Sequence, residues 1–253
     1  MEYYLFRGLV ALHMTAGAIG LVAFWIPIFG RKGGDAHRRW GRVFNWAILL
    51  AGGFAVVMSL LTLHDPMGNH PHLVGKFDDG FVRGIFGWMM LHNAILTLNL
   101  VWYGWLCIIH RRNNAATRTP LNIALQYLVI VAAINCAVQG WLIWQPLMMG
   151  IAVVGIATGL TNLWYMYSRK PGPVEWQKEH LKALVGAGIS VYTAFLAFGS
   201  VRLMPSLALN PFMWAAPLTV GLAIIIYHRF SLDIKSGRNP FTGRRRALQA
   251  GTD

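Results

Sequence analysis

Residues 84–109 read GIFGWMMLHNAILTLNLVWYGWLCII, and His110-Arg111-Arg112 follow directly. The run holds no Asp, Glu, Lys or Arg. As an α-helix rising about 1.5 Å per residue it is roughly 39 Å long, which exceeds the ~30 Å hydrocarbon core of a bilayer. A strand inside a soluble domain has no use for such length. A helix satisfies its own backbone N–H and C=O groups, so it can cross lipid without unpaired polar groups. This stretch therefore reads as a transmembrane helix with a basic stop at one end.

Six further apolar stretches repeat the pattern: Tyr4–Phe29, Val43–Leu63, Leu121–Trp144, Leu147–Ser168, Leu181–Met204 and Met213–Tyr227. The reading is an all-α protein, a polytopic bundle of seven transmembrane helices over residues 1–229, followed by a basic tail over 230–253. The span interiors read as free of carboxylate and of proline, with Arg7 and Arg202 near span ends. Composition agrees: 56% of the 253 residues are hydrophobic and 12% are charged. A soluble domain carries about a quarter charged residues. A disordered chain, a disulfide scaffold and an ordinary soluble enzyme are excluded.

The net charge of +13 comes from 22 Lys and Arg against 9 Asp and Glu, and its placement matters more than its size. Five basic residues lie between Gly30 and Arg42, three in the third connection, four in the fifth and six after the last span. That puts 18 of the 22 on one side, leaving Arg7, Lys76, Arg83 and Arg202 on the other. By the positive-inside rule the N-terminus is outside and the C-terminus cytoplasmic, as in a multi-pass protein of a bacterial inner membrane. The basic rim suits anionic lipid at the cytoplasmic face. Nucleic acid is set aside, because the Arg244-Arg245-Arg246 run is short and the other positives are spread over loops.

With charge excluded from the spans, the nine histidines become the main candidates for chemistry. His13 lies nine residues into the first span and His92 eight into the third, so both fall about 12–14 Å below the same edge. Imidazoles at matched depth on parallel helices suit axial ligation of a b-type haem. The alternative is hydrogen bonding across helices, with Asn93, Asn99, Asn135 and Gln139 as partners. A second group, His37, His110, His180 and His228, gathers at the cytoplasmic boundary beside Arg38, Arg39, Arg42 and Lys182. His37, His180, Arg38 and Arg42 there suit a haem propionate, a quinone carbonyl or a second haem. The third group, His64, His70 and His72 with Asp65, sits in the external loop as a candidate copper or zinc site. Cys107 and Cys136 fall at different depths, which disfavours a disulfide.

Three stretches taken together resemble a known family. They are Leu12-His13 followed by Gly17 and Gly20, then Gly30-Arg31-Lys32-Gly33-Gly34 leading into His37-Arg38-Arg39-Trp40-Gly41-Arg42, then His180 followed by Thr193-Ala194-Phe195. The pattern is similar to that of the bacterial polytopic membrane proteins grouped near domain of unknown function 2306. The resemblance covers about a third of the chain. It implies a shared fold and an inner-membrane home, with His13, His37, Arg38, Gly41, Arg42, His180, Thr193, Ala194 and Phe195 at matching positions. His92 and the external histidines lie outside the pattern.

Three functional classes follow. One is a redox protein that holds haem b or meets a quinone. Another is a non-enzymatic accessory or assembly subunit of a larger respiratory or photosynthetic complex. The third is a transporter, which ranks last because such carriers place a charge near the midplane.

Overall fold

The structure, a computed structural model, describes residues 1–199 and 210–237. Among these residues it is all-helical, and seven helices are long and apolar enough to cross a membrane. We number them α1 (Glu2–Phe29), α2 (Asp35–His64), α3 (Asp79–Ile109), α4 (Pro120–Leu142), α5 (Pro146–Tyr167), α6 (Glu175–Gly199) and α7 (Pro211–Lys235). The chain is an integral, multi-pass membrane protein. Residues 200–209 and 238–253 lie outside the described residues. With them go Arg202, the span end at Met204, and the tail arginines Arg238, Arg244, Arg245 and Arg246.

The helices extend beyond the apolar runs that announce them. α2 begins at Asp35, so His37, Arg38, Arg39 and Arg42 form its first two turns rather than a loop. α6 begins at Glu175 and carries Lys178, Glu179 and His180 on its first turns. α7 runs to Lys235, so the helix takes in the start of the expected tail. The reason is simple: hydrocarbon sets the length of the apolar run, but a helix can continue through the interface into water. Proline inside the spans is a correction, since Pro27 lies in α1 and Pro217 in α7. Proline also opens α4, α5 and α7 at the first helical turn, where its missing N–H costs nothing.

α3 is the hub. Of its most apolar 18-residue window 67% is buried, against 11–33% in the other six helices. It packs on α2, α4 and α6, while α1 pairs with α2, α5 with α4, and α7 with α6. Lipid tails are as apolar as leucine, so close packing rather than hydrophobicity holds such helices together. Gly20 of α1 shows this: a Cβ there would lie 2.3 Å from Ile48 Cδ1 of α2. The wide exposed apolar faces of the outer helices are left for lipid.

Two core clusters stack along α3. One, around Phe24, Ile48, Tyr103 and Ala183, lies toward the end that carries the α1–α2 turn, here named the basic end. The other, around Met89, Cys136, Met148 and Trp214, lies toward the opposite end. In α3 the stretch Arg83–Met89 is π-helical and places Gly84, Ile85, Gly87 and Met89 in the interior.

Candidate functional site

The basic end brings two sequence-singled histidines together. His37 sits on the first turn of α2 and its Nδ1 donates to Pro27 O at 3.2 Å. His180 sits on the second turn of α6 and its Nδ1 donates to Gly104 O of α3 at 3.1 Å. Their ring centres are 6.5 Å apart and their planes are inclined by 66°. With Nδ1 carrying the proton, Nε2 of each ring holds the lone pair. Among the described residues neither Nε2 has a hydrogen-bond partner. Anchoring Nδ1–H on a main-chain carbonyl is how proteins orient a histidine for ligation through Nε2.

The carbonyls that do the anchoring are supplied by helix geometry. Pro27 and Ile28 lie in the last turn of α1, whose C=O groups have no partner within the helix. His37 takes Pro27 O, and Lys32 Nζ donates to both Pro27 O (2.8 Å) and Ile28 O (2.5 Å). Burial lowers the pKa of Lys32 from its ordinary value. Its charge reaches both His37 and His228 of α7. Arg38 and Arg42 are exposed on the same turns, with Arg38 paired to Asp35 at 2.9 Å.

His13 and His92 are not presented to one another. His13 Nδ1 donates to Ala51 O of α2 at 2.9 Å. His92 is 1% exposed and turns toward α4 and α5, where a Cβ on Gly155 would meet its Cε1 at 2.3 Å. Among the described residues neither ring nitrogen makes a hydrogen bond of good geometry, although the Ile151 carbonyl lies beside the ring. Sequence spacing speaks to depth along a helix and not to the face that a side chain occupies.

The external histidines have local partners. His64 Nδ1 is 3.4 Å from Glu2 Oε2. Thr62 gives its proton to Met58 O, so its oxygen accepts from His70 Nε2 at 3.0 Å. His70 lies against Phe6 and Phe86, and 5.9 Å from the His72 ring. Among the described residues no three His, Cys, Asp or Glu side chains gather as a metal site. Cys107 and Cys136 are buried and unpaired.

Sequence reasoning missed two polar groupings. One is ionic: Lys178, 3% exposed, bridges Glu175 (3.0 Å) and Asp233 of α7 (2.6 Å). Beside it Glu179, 7% exposed, accepts from Tyr103 of α3 at 2.8 Å and from Lys182. Buried carboxylates therefore exist, contrary to the expectation, because α6 starts earlier than its apolar run. The other is an amide network in which Asn99 of α3 and Gln126 of α4 exchange bonds of 3.0 and 2.7 Å. Asn122 and Asn162 complete it on Gln126. The i, i+4 spacing of Asn122 and Gln126 was the available signal. Asn135 and Gln139, with the same spacing, are only partly buried and make no side-chain hydrogen bond among the described residues.

Comparison with protein-family models, curated proteins and solved structures finds no match to this chain.

Proposed function

We propose that this protein is a membrane redox protein that holds a b-type haem through His37 and His180 at the basic end of the bundle. The observation that carries the reading is the pair of imidazoles whose Nδ1–H groups are tied to main-chain carbonyls and whose Nε2 atoms have no hydrogen-bond partner among the described residues. His37 and His180 would hold the iron through Nε2, the nitrogen that a carbonyl-anchored Nδ1–H leaves for ligation, and their ring centres lie 6.5 Å apart. A haem supplies one-electron chemistry when bound. The chain's own residues contribute orientation and charge: the carbonyls of Pro27 and Gly104 fix the two rings, while Lys32 and Arg42 offer positive charge to carboxylates.

The test is the absorption spectrum of full-length protein purified after haem-replete expression. A Soret band is expected. It should be lost in His37→Ala and in His180→Ala, and kept in His13→Ala and His92→Leu. A folded wild-type protein with no Soret band, or a band that survives both of the first two substitutions, overturns the proposal.

A further inference from the structure

A second site, lined by neither His37 nor His180, lies where the α3–α4 and α5–α6 connections meet. A cavity of about 460 Å³ opens there, lined by Arg111, Arg112, Tyr165, Pro171, Pro173 and Trp176, with Asn114 and Gly172 completing it. Ligand pockets span about 300–1,000 Å³, so the volume suits a small anion with a body attached.

The walls are built rather than incidental. Asn114 Nδ2 donates to Tyr165 O at 2.8 Å and to Ser168 O at 2.9 Å, pinning one connection to the other. Arg118 Nε donates to Met166 O at 2.7 Å, and its guanidinium lies 4.6 Å from the centre of the Tyr167 ring. Asn113 turns the chain on itself by accepting from Ala115 N. Arginines that serve topology alone need no such enclosure.

Charge then selects the ligand. Arg111 and Arg112 are exposed and, among the described residues, neither is in an ion pair or side-chain hydrogen bond. Arg118, six residues beyond Arg112 and outside the lining, is instead engaged with Met166 O and the Tyr167 ring. Two open guanidiniums present forked donors that match phosphate oxygens. Trp176 and the two prolines give the remaining wall an apolar character suited to a body carried by the phosphate. We infer that this cavity binds a phosphate-bearing anion through Arg111 and Arg112. The anion is either the headgroup of an anionic lipid or a soluble phosphate compound, since the cavity opens where α3 and α5 end.

Native mass spectrometry of the full chain in neutral detergent separates the sources. It is titrated with dioleoylphosphatidylglycerol, with inorganic pyrophosphate, and with dioleoylphosphatidylcholine as the zwitterionic control. Saturable binding of one equivalent of the glycerol lipid alone assigns the site to lipid, whereas binding of pyrophosphate assigns it to a soluble phosphate. In either case Arg111→Ala/Arg112→Ala should weaken binding at least tenfold. Arg111→Lys/Arg112→Lys, which keeps the charge and loses the fork, should fall between. Arg31→Ala/Lys235→Ala, at the same end outside the cavity, should bind as the wild type. Binding no stronger than that of the choline lipid, or equal weakening in the Arg31/Lys235 variant, overturns the inference.

Discussion

His92 shows how a single side chain can be well packed and yet chemically idle. It fills the gap that Gly155 leaves between α3 and α5, but among the described residues neither nitrogen gains a well-formed hydrogen bond, the nearest acceptor being the Ile151 carbonyl. A buried polar group without a partner is a cost, and an apolar group of similar shape removes it. His92→Leu should therefore leave thermal stability in detergent unchanged or raised. Gly155→Ala should lower it by about 1–3 kcal/mol, because the added methyl overlaps the ring. A large loss in His92→Leu would show that the imidazole has a partner after all.

His70 responds to pH. Burial, with a smaller contribution from the neighbouring His72 charge, lowers its pKa to about 4, against about 6.5 in the unfolded chain. The folded ring stays neutral where the unfolded one takes a proton. Its stabilisation is thus full above about pH 6.5 and is lost as pH falls toward 4. His70→Gln keeps a donor for Thr62 and does not titrate. The fall in melting temperature between pH 7 and pH 4.5 should be shallower in that variant, with Glu2, His64 and His72 unchanged in both proteins. Equal falls would remove His70 as the cause.

At the scale of elements, the first turns of α6 act as a latch. Lys178 joins α6 to α7 through Asp233, and Glu179 joins α6 to α3 through Tyr103. Breaking a buried pair from one side strands its partner's charge, at about 3–5 kcal/mol. Lys178→Met should cost on that order in a thermal unfolding assay. Lys178→Met/Asp233→Leu should recover much of it, with the Glu175 carboxylate left to solvent. The sequence revealed neither latch nor histidine pair in full. An apolar-run reading stops where charge begins, and so it cut α2 at Val43 and α6 at Leu181. The residues it assigned to loops are the helical turns that meet at the basic end. Span number and order were legible because lipid allows few solutions. Which face each helix turns inward was not, because apolar residues cover every side of a membrane helix.

At the scale of the whole molecule, the charge asymmetry argues for one orientation. The α1–α2, α3–α4 and α5–α6 connections and the end of α7 share one side of the bundle, and among the described residues most of the Lys and Arg lie there. A cytoplasmic basic end is the expected outcome. A fluorescent protein joined after Asp253 should then fold and fluoresce in bacterial cells. Alkaline phosphatase inserted at Gly75, in the α2–α3 loop, should be active. The reverse pattern would invert the assigned topology. Under the same orientation, the histidine pair and the arginine cavity both lie at the cytoplasmic end of the bundle.

The π-helical stretch Arg83–Met89 bears on how this chain tolerates changes in length. Each i→i+5 ring encloses one residue more than an α-helical ring, so α3 carries slack at its entrance, as α6 does at Phe195–Gly199. Deleting one residue between Phe86 and Trp88 can be absorbed by reverting that ring to ordinary winding, with the phase of everything beyond Met90 preserved. The same deletion near Asn99 has no such reserve. It would rotate the buried amides out of register with α4 and α5. Where the helix is overfilled, it can lose a residue without losing its alignment.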